Sequence, residues 1–299
     1  MVIVHLQGGL GNQIFQYAAG RQLAINQGSE LRLDLSWFKG DQRRRGFTPR
    51  RFLLDRFAIV AGRATRADAS RIRLRAELRR IFRFGGSKSA AEEETPWLVE
   101  RSHFVFDPRV LRAHGDTYLH GYWQNERYFA ESSDLLRDEL RLRQPPDSRT
   151  DVIRSRMANS NSVAIHVRRG DYLEQADAPR SHRVCGADYY HECLRLMVER
   201  VDDPRFFIFS DDPEWVARNI LIPGNAPFEI VTHNDEGKAH EDLMLISACR
   251  HQILSNSTFG WWGAWLNPNP DKIVIGPERW FRGDVFDTSE LLPPGWLRV

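Results

Sequence analysis

Two adjacent arginines carry the strongest chemical signal in the chain. They stand in His166-Val167-Arg168-Arg169-Gly170-Asp171-Tyr172, after an apolar run that begins at Val163. Read as a strand, the run alternates its side chains and puts His166 and Arg168 on one side. Two guanidinium groups are costly to bury unpaired, so they need anions. Each is a planar fork suited to phosphate oxygens. If no metal is present, arginine must offset the charge of a pyrophosphate leaving group. The competing reading is a structural salt bridge, for instance Arg169 with Asp171.

Four other stretches put polar groups where strands meet helices. Gly8-Gly9-Leu10-Gly11-Asn12 reads as a tight turn between a strand and a helix. Glycines there let a ligand approach the backbone, and helix N–H groups attract anions. Gly11 and Asn12 are the candidates, Asn12 adding an amide for a phosphate or hydroxyl. A turn with no ligand is the plain alternative. An NAD-dependent oxidoreductase would need G-x-G-x-x-G, but Ile14 stands at the third glycine, despite Asp34 near the end of a second strand. Ser255-Asn256-Ser257-Thr258 precedes the Trp-rich segment Phe259–Trp265. Hydroxyls at a helix start cap it or bind phosphate, which singles out Ser257 and Thr258. Gly260 and Gly263 share a face that permits close packing. Glu241-Asp242 opens another helix, where carboxylates complement the dipole or accept the two N–H donors of guanine's Watson–Crick edge. Ser210-Asp211-Asp212-Pro213 reads as a helix cap with proline in the first turn.

Composition narrows the class. The chain has 299 residues, 42 Lys+Arg against 40 Asp+Glu, and a net charge of +2. Hydrophobic residues at 41%, with 17 Phe and 9 Trp, exclude a disordered chain. No stretch reaches the roughly 18 apolar residues of a transmembrane helix. The opening Met1–Leu6 lacks the features of a signal peptide, so a cytoplasmic protein is expected. Cys185, Cys193 and Cys249 are odd in number and widely spaced, which argues against a disulfide scaffold. Without Cys-x-x-Cys, His-Glu-x-x-His or Asp-x-Asp, no metal is expected. Residues 43–83 hold 14 Arg against Asp55, Asp68 and Glu77, a net of +11. A solvated Arg-rich helix is the bland reading. Peripheral contact with the inner membrane is the alternative, and no nucleic-acid partner is expected, because little aromatic interleaving accompanies the arginines.

The elements that must position these residues alternate. A strand over 2–6, a helix from Gln13 to Asn26 and a strand over 31–35 open the chain. Residues 40–115 show few clean periods. A strand from Thr117 and a helix from Tyr128 to Leu142 follow. Gln144-Pro145-Pro146-Asp147 marks a linker, which divides the chain into an N-terminal α/β domain over 1–147 and a C-terminal Rossmann-like domain over 148–299. After the linker, strands alternate with helices, as in a parallel sheet covered on both faces. Ligands then belong at the carboxyl ends of strands.

Together the blocks resemble the bacterial α1,2-fucosyltransferases, inverting enzymes related to the blood-group H transferases. The resemblance rests on Gly8–Tyr17, His166–Tyr172, Phe209–Asp212 and Glu241–Trp265, and leaves residues 40–115 unanchored. It implies a GT-B-like α/β fold, two Rossmann-like doubly wound domains facing a cleft, the N-terminal one on the acceptor side. It implies GDP-fucose as donor, the 2-hydroxyl of a galactoside-terminated glycan as acceptor, and neither metal nor cofactor. Surface glycan or O-antigen synthesis is the implied setting, with another fucosyl linkage as the alternative. Related α1,6- and protein O-fucosyltransferases share His-x-Arg-Arg. By that likeness Arg168 binds the β-phosphate with Arg169 beside it. His166 and Asp242 hold guanine, Ser257 and Thr258 hold the diphosphate, and Gly11 and Asn12 face the donor. Asp171 is the candidate general base, with orientation of Arg169 as its competing role. The glutamate implicated in the α1,6 enzymes is Ala176 here, so the base does not transfer from them.

Overall fold

A computed structural model describes residues 1–40, 42, 48–82, 96–169, 185–281, 283 and 285–299. The chain divides into two units, Met1–Arg143 with Ser289–Leu291, and Gln144–Thr288 with Leu292–Val299. The return of Ser289–Leu291 to the first unit has a polar cause. Glu290 accepts from the Phe106 amide and the Asn125 side chain, and pairs with Arg127.

In the first unit, β1 (Val2–His5), β2 (Leu31–Asp34), β3 (Gly62–Arg63), β4 (Trp97–Val99) and β5 (Thr117–His120) form a parallel sheet in the order β3-β2-β1-β5-β4. Val2, Ile3 and Val4 are fully buried, as a central strand covered on both faces must be. Helix α1 (Leu10–Asn26) packs on β1 at Gly20, where a Cβ would stand 2.1 Å from Val4 Cγ2. It starts three residues before the expected Gln13. Gly8 alone in the expected turn is left-handed, at φ +79°, and Gly11 and Asn12 already lie in the first helical turn. Gln13 anchors that geometry. Its amide nitrogen donates to the Gly8 and Arg51 carbonyls at 3.0 and 2.8 Å, and its oxygen accepts from the Leu53 amide at 3.0 Å.

The Arg-rich stretch holds α2 (Arg66–Phe82). Ile72 is buried with Ile3 and Tyr118, whereas Leu74 and Leu78 are exposed. Arg73 pairs with Glu77 and Arg75 with Asp116, so part of the block is neutralised. A short α3 (Pro108–Leu111) follows β4. The helix expected from Tyr128 to Leu142 contracts to α4 (Ser133–Glu139), because Phe129 leaves helical geometry at φ −141° and ψ 16°.

The second unit contains α5 (Ser148–Ala158), β6 (Asn161–Val167), α6 (Ala187–Val198), β7 (Pro204–Ser210), α7 (Pro213–Asn219), β8 (Phe228–Val231), α8 (Ala239–Ala248), β9 (His251–Ile253), α9 (Thr258–Leu266), β10 (Val274–Gly276) and β11 (Leu297–Arg298). Its parallel sheet runs β11-β10-β9-β6-β7-β8. Alternation along β6 builds two cores. Val163, Ile165 and Val167 join Tyr190, Leu194 and Met197 of α6. Ala164, with Phe207 and Phe209 of β7, joins Met157 of α5 and Ile246 of α8. The sheet is therefore covered on both faces, and the expected α/β class holds.

Candidate active site

In the second unit the chain runs outward from β6 to β7 and β8, then returns to β9 on the other side of β6. The reversal between β6 and β9 is where an open parallel sheet leaves a crevice at its carboxyl ends. His166, at the end of β6, and Ser255, two residues beyond β9, span it. Imidazole Nδ1 and the serine Oγ are 2.9 Å apart, and both side chains are buried. Burial, reinforced by the nearby Arg168 charge, pushes the His166 pKa down to about 3. The ring is neutral at physiological pH and serves as a hydrogen-bonding wall rather than a charge.

Glycines let the last helix reach this histidine. A Cβ on Gly260 would lie 2.8 Å from His166 Nδ1, and one on Gly263 2.4 Å from Ile246 Cγ2 of α8. The shared glycine face expected from the sequence thus clamps α9 between His166 and α8. Phe259 adds its ring, centroid 5.4 Å from the imidazole. Ser257 caps α9, its Oγ accepting from the Phe259 amide at 3.3 Å. Thr258 is the first helical residue, and the N–H groups of this first turn form an anion-attracting end.

The two arginines diverge. Arg168 extends its Nε to within 3.2 Å of Asp211 Oδ2, and its side chain is 24% exposed. Asp211 also accepts the Arg169 amide at 2.9 Å. Arg169 lays its guanidinium over Trp215, 3.8 Å from the ring centroid, with Nε 3.5 Å from Asp212 Oδ2. Stacking and pairing engage Arg169 within the protein, while Arg168 is clamped yet accessible. Asp212 also caps α7 through the Trp215 amide at 3.0 Å, as the sequence suggested. The Asp211 clamp was not foreseen. Its signal was an aspartate just past a strand that neighbours β6. Asp171 lies outside the described residues.

Glu241 and Asp242 also separate. Glu241 is buried and accepts from the Asp147 amide at 3.0 Å and the Thr150 hydroxyl at 2.6 Å, anchoring the start of α5. Asp242 accepts one bond, from Asn234 Nδ2 at 2.7 Å. Burial pushes its pKa up to about 7, with the Glu241 charge adding and the Asn234 bond opposing. His166, Arg168, Arg169, Asp242, Ser257 and Thr258 all belong to the second unit. Gly11 and Asn12 belong to the first, where Asn12 Oδ1 accepts from Gln124 Nε2 at 2.8 Å.

Comparison with known proteins fits this arrangement. Residues 101–297 match glycosyl transferase family 11. An Escherichia coli alpha-1,2-colitosyltransferase is 31% identical, the alignment covering 100% of this chain and 99% of that one. The E. coli O-antigen biosynthesis glycosyltransferase WbnK is 33% identical over 98% of this chain and 99% of its own. Galactoside alpha-(1,2)-fucosyltransferase 1 of Saimiri boliviensis boliviensis is 27% identical over 70% of this chain and 59% of its own. The family match begins after the Gly-rich block, whereas the two E. coli relatives span it. The resemblance read from the four sequence blocks is borne out: the chain belongs to glycosyl transferase family 11, an enzyme of the galactoside α1,2-fucosyltransferase type.

Proposed function

We propose that the protein transfers L-fucose from GDP-fucose to the 2-hydroxyl of a galactose residue, with inversion and without a metal, during O-antigen or other surface glycan synthesis. The observation that carries this reading is the Arg168 side chain, 24% exposed and clamped by Asp211 at the carboxyl edge of the parallel sheet whose His166 meets the capped helix α9. A clamped cation and the N–H groups of a helix start each suit a diphosphate. The acceptor oxygen attacks the anomeric carbon opposite the diphosphate, through an oxocarbenium-like transition state. As the carbon–oxygen bond to phosphate breaks, Arg168 offsets the charge building on the leaving group. Ser257 and Thr258 contribute further donors. Neutral His166 and ionised Asp242 present a polar edge for guanine.

The experiment is incubation with labelled GDP-fucose and lactose in the presence of EDTA. A trisaccharide fucosylated at the galactose 2-hydroxyl supports the reading. Donor consumption that stops with EDTA refutes metal independence, and a product of another linkage refutes α1,2 transfer. A second reading is transfer of colitose, the 3-deoxy counterpart of fucose, favoured by the full-length likeness to a colitosyltransferase. GDP-colitose run in parallel separates the two by their kcat/KM ratio.

Asp242 supplies a pH signature. Guanine's N–H donors need an ionised carboxylate, while free Asp242 holds its proton up to about pH 7. Binding must then release a proton whenever the pH is below that value. GDP affinity therefore falls as the pH drops below 7, by about tenfold per unit at the limit. Asp242→Asn binds GDP more weakly and loses this dependence. Calorimetry between pH 5 and 8 checks both outcomes.

A further inference from the structure

Asn234 follows the end of β8, at the carboxyl edge of the second sheet. Its neighbours on both sides are pinned. His233 Nε2 lies 2.8 Å from the Thr150 hydroxyl, which spends its one proton on Glu241 at 2.6 Å, so the imidazole donates to Thr150. Asp235 accepts from the Lys238 amide at 3.1 Å, and Lys238 Nζ pairs with Asp147 at 2.9 Å. The loop thus holds Asn234 on a fixed backbone. Its Nδ2 donates to Asp242 Oδ1 at 2.7 Å. An ionised carboxylate can only accept, so this bond decides which end of the carboxamide is the oxygen.

That oxygen is left over. Asn234 Oδ1 is buried and accepts no hydrogen bond among the described residues. A buried carbonyl without a donor costs free energy, and turning the amide would only set oxygen against carboxylate. Helix α8 leads into β9 and α9 leads out of it, between parallel strands, so the two helices point the same way. They touch where Gly263 meets Ile246, and one turn earlier Gly260 meets His166. Asp242 is one turn before Ile246, so His166 and the Asn234–Asp242 pair stand at the same end of that contact.

Guanine carries three N–H donors on one edge, N1–H and the two hydrogens of its 2-amino group. A carboxylate takes N1–H and one amino hydrogen, and the other needs an acceptor of its own. Nitrogen and oxygen of one planar amide are close neighbours, so a base bonded to Asp242 comes within reach of Asn234 Oδ1.

We propose that Asn234 is a specificity-determining residue for the donor's base, its Oδ1 accepting the second hydrogen of the guanine 2-amino group beside Asp242. This rests on the GDP-linked donor proposed above. The His233–Thr150–Glu241 chain is the positioning device, since it ties together the residues adjacent to both members of the pair.

The test is calorimetry on the full chain at about pH 8, where Asp242 is ionised. The ligands are GDP, N2-methyl-GDP, inosine diphosphate, which keeps N1–H but lacks the amino group, and ADP. Loss of the Nδ2 bond in Asn234→Ala weakens GDP and inosine diphosphate alike and cancels in their ratio. Loss of Oδ1 does not cancel, so the variant narrows the GDP preference by about fivefold to tenfold. Wild type binds N2-methyl-GDP about tenfold or more weakly than GDP, a comparison that needs no variant to fold. A GDP preference unchanged in Asn234→Ala overturns the proposal and leaves Asn234 only orienting Asp242. Equal wild-type affinity for GDP and N2-methyl-GDP overturns it as well. Wild type that binds GDP no better than ADP fails the donor reading and this proposal with it, whereas either of the first two results in protein that prefers GDP fails this proposal alone.

Discussion

Arg168→Ala lowers kcat/KM for fucosyl transfer by about 10²- to 10³-fold, the ~3–4 kcal/mol scale of one preorganised donor. The size follows from the residue's placement. Its guanidinium is partly screened from water and fixed by Asp211 at 3.2 Å, so little reorganisation is needed as leaving-group charge develops. Arg168→Lys recovers only part of the loss, because an ammonium keeps the charge but not the planar fork. Asp211→Asn removes the clamp's charge and keeps its shape, giving a smaller loss of about tenfold. Steady-state kinetics on the four proteins check the order wild type, Asp211→Asn, Arg168→Lys, Arg168→Ala. A loss in Asp211→Asn as large as in Arg168→Ala would mean that the aspartate itself meets the substrate.

Two glycines one helical turn apart provide the second large effect, because equivalent additions have different consequences. In Gly260→Ala the new methyl would stand 2.8 Å from His166 Nδ1, with Cγ and Cβ at 3.2 and 3.3 Å. The ring must turn, which breaks its contact with Ser255. Alanine's helix propensity returns up to ~1 kcal/mol, so stability changes little. GDP affinity falls by tenfold or more, of order 1.4 kcal/mol. In Gly263→Ala the methyl meets Ile246 instead, inside an apolar contact between α9 and α8. That variant loses about 1–3 kcal/mol of stability through overpacking and keeps its GDP affinity. Melting curves and GDP calorimetry on the pair check the split. Equal behaviour of the two variants would remove His166 from the donor site.

Much of the second unit was legible because its strands are short apolar runs bounded by polar loops. Val163–Val167 fixes its own alternation, and that placed His166 and Arg168 on one side. The partner of Arg168 was not legible. Asp211 is 43 positions away, and only the β6–β7 register, which pairs Val167 with Ser210, makes the two neighbours. Glu241 and Asp242 looked equivalent at one helix start. Their burial partners, Asp147 and Thr150 for one and Asn234 for the other, separate them. In the first unit the Gly-rich block was read as a turn, yet the helix already begins at Leu10. Gln13 ties three backbone groups together there, a contact with residues 38 and 40 positions away that local pattern does not reveal. Residues 40–115 gave weak signals for a physical reason. β3 and β4 are two and three residues long, and α2 buries Ile72 while exposing Leu74 and Leu78.

A crystal structure with GDP bound shows whether the carboxyl edge of the second sheet holds the nucleotide diphosphate. A β-phosphate oxygen is expected within about 3 Å of the Arg168 guanidinium, with the diphosphate against the first turn of α9 and the guanine edge on Asp242. A diphosphate seated instead on the Gly8–Asn12 turn of the first unit, away from Arg168, would contradict this placement.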